Sequence, residues 1–201
     1  MKFKKNSIFS PFFYQIYIDQ DYSKIKDKLI EKIIHQSIDE GVTEYCWNIH
    51  TSYGDSHNKN ELNEMSIIYQ KYIDTFSKTY IKGKNNLKIY NIWYNVYNKG
   101  DSGPIHTHID KGVLFSCVHY LKFNPEIHNS ITFLNPRRAS NKFLAKQNIE
   151  FKNLDFYKDE FTPNLKEDDL IIFPANLAHK VEPSTTDEPR ITIAFNVSLN
   201  D

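Results

Sequence analysis

Three residues that could bind a metal ion occupy alternate positions in the segment GPIHTHIDKGVLFSCVHYL. They are His106, His108 and Asp110, and an apolar, β-rich run follows them. In an extended chain alternate side chains point to the same face, so two imidazoles and one carboxylate would project together. The segment is therefore either part of a metal site or the polar edge of a strand, and the choice depends on ligands elsewhere in the chain.

The next candidate ligand is His179, in the segment DDLIIFPANLAHKV. It follows an apolar strand, a proline and a short loop, so it could return to the same end of a β-structure. Arg190 comes eleven positions later, at the start of the alternating strand RITIAFNV. Along that strand Arg190 and Thr192 share a face, and the apolar residues between and after them share the other.

Helices are predicted before these strands. Apolar residues recur at helical spacing from Ser23 to Glu40, and Gly41 follows where a C-terminal cap belongs. A second apolar stripe runs through NELNEMSIIYQKYIDTFSKTYIKG and ends at Gly83. Such stripes usually pack into a core. An N-terminal strand is predicted in FFYQIYI, ahead of both helices.

After Gly83 the pattern changes to short segments rich in Ile, Val, Phe and Tyr with turn residues between them. The order of elements indicates an α+β protein, and short antiparallel strands favour a jelly roll with the N-terminal helices packed on one sheet. The polar stretch 135–168 is predicted as a long loop that could cover a substrate.

Length and composition favour a single domain, 1–201, with a helical N-terminal part (1–83) and a jelly-roll core (84–201). Lys plus Arg and Asp plus Glu both number 25, so no basic field indicates nucleic acid as a partner. The sequence has no apolar run long enough for a membrane helix. Its two cysteines, Cys46 and Cys117, are too few for a disulfide framework, which favours a reducing cytoplasmic location.

Four segments resemble the 2-oxoglutarate- and iron(II)-dependent dioxygenases, in particular the prolyl-hydroxylase-like branch with its small bacterial and phage relatives. The resemblance covers about half of the chain, residues 92–198. The order of the segments, with an arginine eleven places after the last histidine, makes the resemblance fairly specific. The segments are IWYNVYNKGDSGPIHTHID, HYLK, DDLIIFPANLAHKV and EPRITIAFN.

The resemblance implies a double-stranded β-helix with Fe(II) at its open end. It implies a hydroxylase that couples decarboxylation of 2-oxoglutarate to succinate, with O₂ as the other co-substrate, to hydroxylation of a substrate that the sequence does not identify. A protein or peptide side chain such as proline is one expectation. Arg190 and Thr192 would bind the far carboxylate of 2-oxoglutarate, and Tyr97 and Tyr120 would line its pocket.

The ligand set can be chosen in two ways. The family pattern is His-x-Asp/Glu, which His108 and Asp110 match literally. The spacing from Gly100 fits His106 better, and some small relatives carry His-x-His. A carboxylate offsets the charge of Fe(II), so His108, Asp110 and His179 are predicted as the ligands, with His106 either supporting a ligand through a hydrogen bond or substituting for one.

Two other functions are compatible with the same residues. One is a non-catalytic jelly-roll module that binds a metal or another ligand, in which Arg190 has no keto-acid partner. The other is a cupin-like enzyme that uses iron and oxygen without a keto acid. Binding of Fe(II) and 2-oxoglutarate together would distinguish the dioxygenase from both.

Overall fold

Two antiparallel sheets stack face to face, and two helices cover the outer face of the larger sheet in the part of the chain that the structure describes.

The structure is a computed structural model. It describes residues 4–7, 12–18, 22–39, 49–53, 62–82, 86–109, 112–139 and 158–199. In chain order the elements are β1 (Lys4–Ser7), β2 (Phe12–Tyr17), α1 (Ser23–Asp39), β3 (His50–Thr51), α2 (Asn63–Tyr80), β4 (Leu87–Tyr97), β5 (Gly103–His106), β6 (Val113–Lys122), β7 (Ile131–Leu134), β8 (Glu160–Phe161), β9 (Asp169–Pro174), β10 (His179–Val181) and β11 (Arg190–Leu199).

The strand order is that of a double-stranded β-helix. Within the described ranges the large sheet has the order β1-β2-β9-β6-β11-β4-β3, and the small sheet has the order β5-β10-β7-β8. From β4 onwards the chain crosses between the sheets at almost every connection, so strands distant in sequence become neighbours. This confirms the α+β jelly roll predicted from the order of elements.

The long strands of the large sheet separate two environments. On β11, Ile191, Ile193 and Phe195 belong to the core under the helices, whereas Arg190 and Thr192 line a cavity between the sheets. Strand pairing extends this division sideways, because Thr192 lies opposite Asn95 of β4 on one side and Tyr120 of β6 on the other. The alternation read from the sequence therefore decides which residues reach the cavity.

Both predicted helices form and use the predicted apolar stripes. The ring of Tyr69 stacks on Phe195 with centroids 4.7 Å apart, and Phe76 meets Phe115 edge to face at 5.2 Å. Burial of each such side chain contributes about 1.5–3 kcal/mol, so this interface anchors α2 on the sheet. Gly41 and Gly83, expected to end the helices, lie outside the described residues.

The N-terminal part also supplies strands. β1 and β2 extend the large sheet beyond β9, and β3 pairs with β4 at the opposite edge. The predicted strand FFYQIYI is confirmed as β2. In the predicted loop 135–168, β8 pairs with β7, and residues 140–157 lie outside the described ranges.

Two further sequence observations can be compared with the fold. Cys117 is a buried free thiol, whereas Cys46 lies outside the described residues. Neither helix in the described ranges has the length and apolar character needed to cross a membrane.

A buried hydrogen-bonded network joins the helices to the large sheet. His119 of β6 is fully buried, with Tyr69 Oη 2.7 Å from its Nδ1 and Tyr22 Oη 3.3 Å from its Nε2. Tyr22 donates its own proton to the carboxylate of Asp168, which can only accept. The Tyr22 oxygen must therefore accept from Nε2–H of His119, and Nδ1 accepts from Tyr69.

Asp168 is the charged end of this network. Its φ of 68° lies in the left-handed region, and Lys26 Nζ is 2.7 Å from its carboxylate. Burial raises the pKa of Asp168, but the nearby His119, Lys26 and Tyr22 outweigh that effect and lower the pKa to about 2. The ionised carboxylate is thus stabilised in the folded state.

We predict that Asp168→Asn lowers the free energy of unfolding at pH 7 by about 2 kcal/mol. Asparagine tolerates the positive φ, so the change removes mainly the charge. Because the folded pKa lies below the unfolded value, this stability is present above about pH 4 and is lost as the pH falls towards 2. Urea unfolding at pH 7, 4 and 2.5 measures the difference.

The matched control is Asp187→Asn, since the Asp187 side chain is 86% exposed and pairs with the exposed Lys99. We expect less than about 0.5 kcal/mol of change in this variant. A difference between Asp168→Asn and wild type that is the same at every pH would contradict the role assigned to the charge.

Candidate active site

Three histidines converge at one end of the space between the sheets. Strand β5 ends at His106 and β10 begins at His179, and the two residues lie directly opposite each other in the antiparallel pairing. His108 follows β5, and its backbone N–H donates to the carbonyl of Ala175 at 2.8 Å. One potential ligand atom from each histidine lies within 4.8 Å of the others. We call His106, His108 and His179 the histidine cluster.

Backbone carbonyls set the tautomers of two of these rings. Nδ1 of His106 lies 2.8 Å from the Pro104 carbonyl, and Nδ1 of His179 lies 2.9 Å from the Leu177 carbonyl. A carbonyl can only accept, so each Nδ1 carries the proton and the ring's lone pair is on Nε2. This arrangement, with Nδ1–H held by the backbone, is typical of histidines that bind metal through Nε2.

The histidine cluster is held in its neutral form. Burial lowers the pKa of His179 well below its usual value, and the neighbouring His106 and His108 lower it further. Burial and the charge of His106 lower the pKa of His108 to about 4, and burial also lowers the pKa of His106. A metal ion binds the neutral imidazole, so protons compete little for these nitrogens near pH 7.

Arg190 lies in the same cavity and is 4% exposed. It donates through Nη1 to the carbonyl of Asn129, and its guanidinium lies 3.8 Å from the centre of the Tyr97 ring. Its Nε is buried and has no hydrogen-bond partner. Among the described residues no carboxylate forms an ion pair with it. A buried, uncompensated guanidinium is unfavourable, so the site is suited to an anionic ligand.

Polar side chains surround this guanidinium. Tyr97 pairs with Arg190 across β4 and β11, and the next pair on the same face joins Asn95 and Thr192. Tyr120 accepts from the backbone N–H of Ile131 at 3.1 Å, so its own proton can be donated into the cavity. Burial, opposed in part by Arg190, raises the pKa of Tyr120 to about 12, and burial likewise raises the pKa of Tyr97. Both phenols are therefore protonated donors at neutral pH.

One cavity, with about 470 Å³ of empty space including its open mouth, contains nearly all of the residues singled out in the sequence. Asp110 lies outside the described residues, so its part in metal binding stays a prediction. The roles assigned to the other residues also stay predictions, although the structure brings them together. They are His106, His108, His179, Arg190, Thr192, Tyr97 and Tyr120.

Sequence reasoning missed three cavity residues that the alternation of the strands could have identified. Trp93 and Asn95 precede Tyr97 on β4 at alternate positions, and Ser116 precedes Tyr120 on β6 in the same way. The Trp93 ring lies 6.0 Å from that of His108. Asn95 Oδ1 and Ser116 Oγ are buried without a hydrogen-bond partner. A search for polar residues in phase with Tyr97 and Tyr120 would have found them.

The comparisons with known proteins agree with this arrangement. A family model described as a putative 2OG-Fe(II) oxygenase matches residues 91–196, just over half of the chain and the part that carries the cavity. A search of curated proteins found no match to this sequence.

Several solved structures share the fold at low sequence identity. A Pseudomonas putida prolyl-4-hydroxylase is 11% identical with a TM-score of 0.61, over 94% of this chain and 93% of that chain. HygX from Streptomyces hygroscopicus, solved with nickel and 2-oxoglutarate, is 11% identical with a TM-score of 0.60, over 92% and 82%. The viral collagen prolyl hydroxylase of Paramecium bursaria Chlorella virus-1, in complex with 2-oxoglutarate, is 15% identical with a TM-score of 0.55, over 92% and 94%.

We predict that His179→Ala weakens divalent metal binding at least roughly 100-fold, because the change removes the most buried nitrogen of the cluster. Titration with Co(II), followed by calorimetry or by the visible spectrum, should give one site in wild type. His35→Ala removes an exposed histidine of α1 and serves as the control. Unchanged Co(II) affinity in His179→Ala would show that the cluster is not the metal site.

Proposed function

Because this chain belongs to the 2OG-Fe(II) oxygenase family, and is therefore a 2-oxoglutarate-dependent dioxygenase, we propose that His106, His108 and His179 hold its iron for the hydroxylation of an organic substrate. The observation that carries this proposal is the convergence of the three imidazoles at the same cavity as a buried arginine that has no carboxylate partner among the described residues. The cofactors of the family are Fe(II) and 2-oxoglutarate, and the donor groups present fit both.

The metal fits the histidine cluster. Imidazole nitrogen is a ligand that suits iron, and three ligands leave open positions for a chelating co-substrate and for oxygen. Three neutral ligands leave the full charge of Fe(II), which the carboxylate that chelates the metal would offset in part, since the far carboxylate of 2-oxoglutarate pairs with Arg190. We assign His106 the ligand position that the sequence pattern also offered to Asp110, because its ring converges with those of His108 and His179.

The keto acid fits the opposite end of the cavity. The Arg190 guanidinium, which has an unpartnered Nε, is suited to the far carboxylate of 2-oxoglutarate, since a planar fork binds a carboxylate with two hydrogen bonds. The Thr192 hydroxyl and the Tyr120 phenol can donate to the same carboxylate. Tyr97 supports the guanidinium through its ring face, which fixes the plane in which Arg190 donates.

The protein's own contribution is therefore positioning and exclusion of water. When bound, Fe(II) and 2-oxoglutarate supply the oxidising chemistry, in which the keto acid is converted to succinate and carbon dioxide while the substrate is hydroxylated. Backbone contacts to Nδ1 orient His106 and His179 before any ligand binds. Phe173 packs edge to face on His179 at 5.0 Å and shields the cluster from the side of the core.

We place O₂ and a so far unidentified primary substrate among the partners of this site, and we expect a cytoplasmic location. A protein or peptide side chain is one substrate that the prolyl hydroxylases among the structural neighbours suggest. HygX, whose structure has also been determined with hygromycin B bound, shows the same fold with a different ligand. Fold similarity therefore supports the chemistry and leaves the substrate to experiment.

We predict a weak visible charge-transfer band when Fe(II) and 2-oxoglutarate are both added without oxygen, and its loss with succinate formation when oxygen is admitted. In Arg190→Met the 2-oxoglutarate concentration at which the band reaches half of its maximum should rise roughly 30- to 100-fold, because charge-assisted hydrogen bonds are lost. Arg190→Lys keeps the charge and should give a smaller increase. Absence of the band in wild type, with metal bound, would favour a binding module instead.

A second prediction separates the two possible ligand sets. His106→Ala should abolish the band and succinate formation, because it removes one of three converging nitrogens. Asp110→Asn should retain iron binding and at least about half of the succinate formation, as expected for a residue outside the ligand set. Iron bound per chain and succinate formed are the measurements. Loss of iron in Asp110→Asn with retention in His106→Ala would assign the site to the carboxylate.

A further inference from the structure

Three polar side chains form a row across the inner face of the large sheet. Asn196 of β11 lies opposite Asn91 of β4 on one side and opposite Ser116 of β6 on the other. Their Oδ1 and Oγ atoms are buried and have no hydrogen-bond partner among the residues that the structure describes. Asn196 is 4% exposed and Ser116 is 1% exposed. We call Asn91, Ser116 and Asn196 the polar row.

The polar row lies on the cavity face of the sheet, at the end away from Arg190. Ser116 itself lines the cavity, and Asn91 and Asn196 are in phase with its lining residues on β4 and β11. Asn196 lies six residue positions beyond Arg190 along the extended strand, which is about 20 Å at about 3.3 Å per residue. A five-carbon keto acid held by Arg190 is too short to reach the row.

The histidine cluster lies beside the same end of the sheet. The next set of side chains towards Arg190 includes Trp93, whose ring is 6.0 Å from that of His108. On the other side Ser116 pairs with Phe173, whose ring is 5.0 Å from that of His179. The polar row is thus next to the residues that flank the proposed iron, on the side that the keto acid leaves open.

Structural roles are visible for comparable residues elsewhere in the chain. Buried Asn135 accepts from Arg137 N–H at 2.9 Å and donates to the Lys158 carbonyl at 2.9 Å. Buried Ser52 accepts from the backbone N–H of Tyr94 at 3.0 Å. The polar row has no such bonds to its buried oxygens, and three unpartnered atoms in adjacent positions are costly to folding. An external ligand would satisfy them.

We propose that the polar row binds a neutral, hydrogen-bonding group of the primary substrate and so positions the carbon that is hydroxylated. This inference rests on the proposed function. The unpartnered atoms of Asn91 and Asn196 are acceptors, and the Ser116 hydroxyl can donate or accept. They therefore call for a group with N–H or O–H donors, such as an amide or a sugar hydroxyl. A carboxylate, which only accepts, would leave these acceptors unsatisfied.

The first test compares melting temperatures of the protein without ligands. Ser116→Ala and Asn196→Leu remove polar atoms that have no internal partner, so their melting temperatures should equal or exceed that of wild type. The matched controls Ser52→Ala and Asn135→Leu break hydrogen bonds that exist and should melt at least about 2–4 °C lower. If the polar-row variants fall as far as the controls, the row is part of the framework and the proposal is wrong.

The second test identifies the group that the row binds. Succinate formation by the iron- and 2-oxoglutarate-loaded enzyme is measured with blocked dipeptide amides, with neutral disaccharides, and with the dipeptide acids and uronates that match them. One neutral set should raise succinate formation at least about 3-fold, and Asn196→Leu should lose about 10-fold or more of that increase. The responding set distinguishes an amide from a sugar hydroxyl.

The remaining results overturn the proposal. These are equal stimulation by the carboxylates, stimulation by neither neutral set, and undiminished stimulation of Asn196→Leu. Failure of this inference is distinguishable from failure of the proposed function, because the charge-transfer band of wild type with Fe(II) and 2-oxoglutarate tests only the latter. A normal band together with any overturning result would leave the oxygenase intact and remove the polar row from it.

Discussion

The register between β5 and β10 is the constraint on which the site depends. It places His106 opposite His179, and a slip of one residue would turn one imidazole to the other face of the sheet. Further along the same ladder Val181 pairs with Gly103, with a shift of register between the two pairs. The small sheet thereby creates the histidine cluster out of residues more than seventy positions apart.

Strand β11 links this cluster to the other ligand sites. Its cavity face carries, in order, Arg190, which we propose binds the keto acid, then Thr192, and then Asn196 beyond the proposed iron site, while its opposite face packs under the helices. These side chains are two to four residues apart along one strand, so the distances between them are set by backbone geometry. The distance between the proposed keto-acid site and the polar row therefore follows from the spacing of residues along β11.

Much of the fold and of the candidate site could be predicted, because the alternation of strand residues and the spacing of apolar residues in helices are local properties of the sequence. The helices, the main strands and the cavity faces of Arg190, Thr192, Tyr97 and Tyr120 follow from them. The choice among His106, His108 and Asp110 could not be derived in this way, since all three have the same phase and the distinction depends on where the chain turns after β5. The polar row was not predicted for a related reason. An asparagine in a strand can be interpreted as a ligand-binding residue only when its neighbours on both adjacent strands, and the lack of hydrogen bonds to its buried oxygen, are known.

Burial lowers the pKa of histidines on both faces of the large sheet, with a different consequence on each face. Burial lowers the pKa of His119 under the helices and of His179 in the cavity. In the first case the neutral ring relays hydrogen bonds towards Asp168, and in the second it keeps a lone pair available. The two faces are connected, because the backbone N–H of Asp168 donates to the carbonyl of Tyr120 at 2.9 Å. Asp168 therefore contacts both faces, since its side chain joins the network under the helices and its backbone N–H bonds the strand that presents Tyr120 to the cavity.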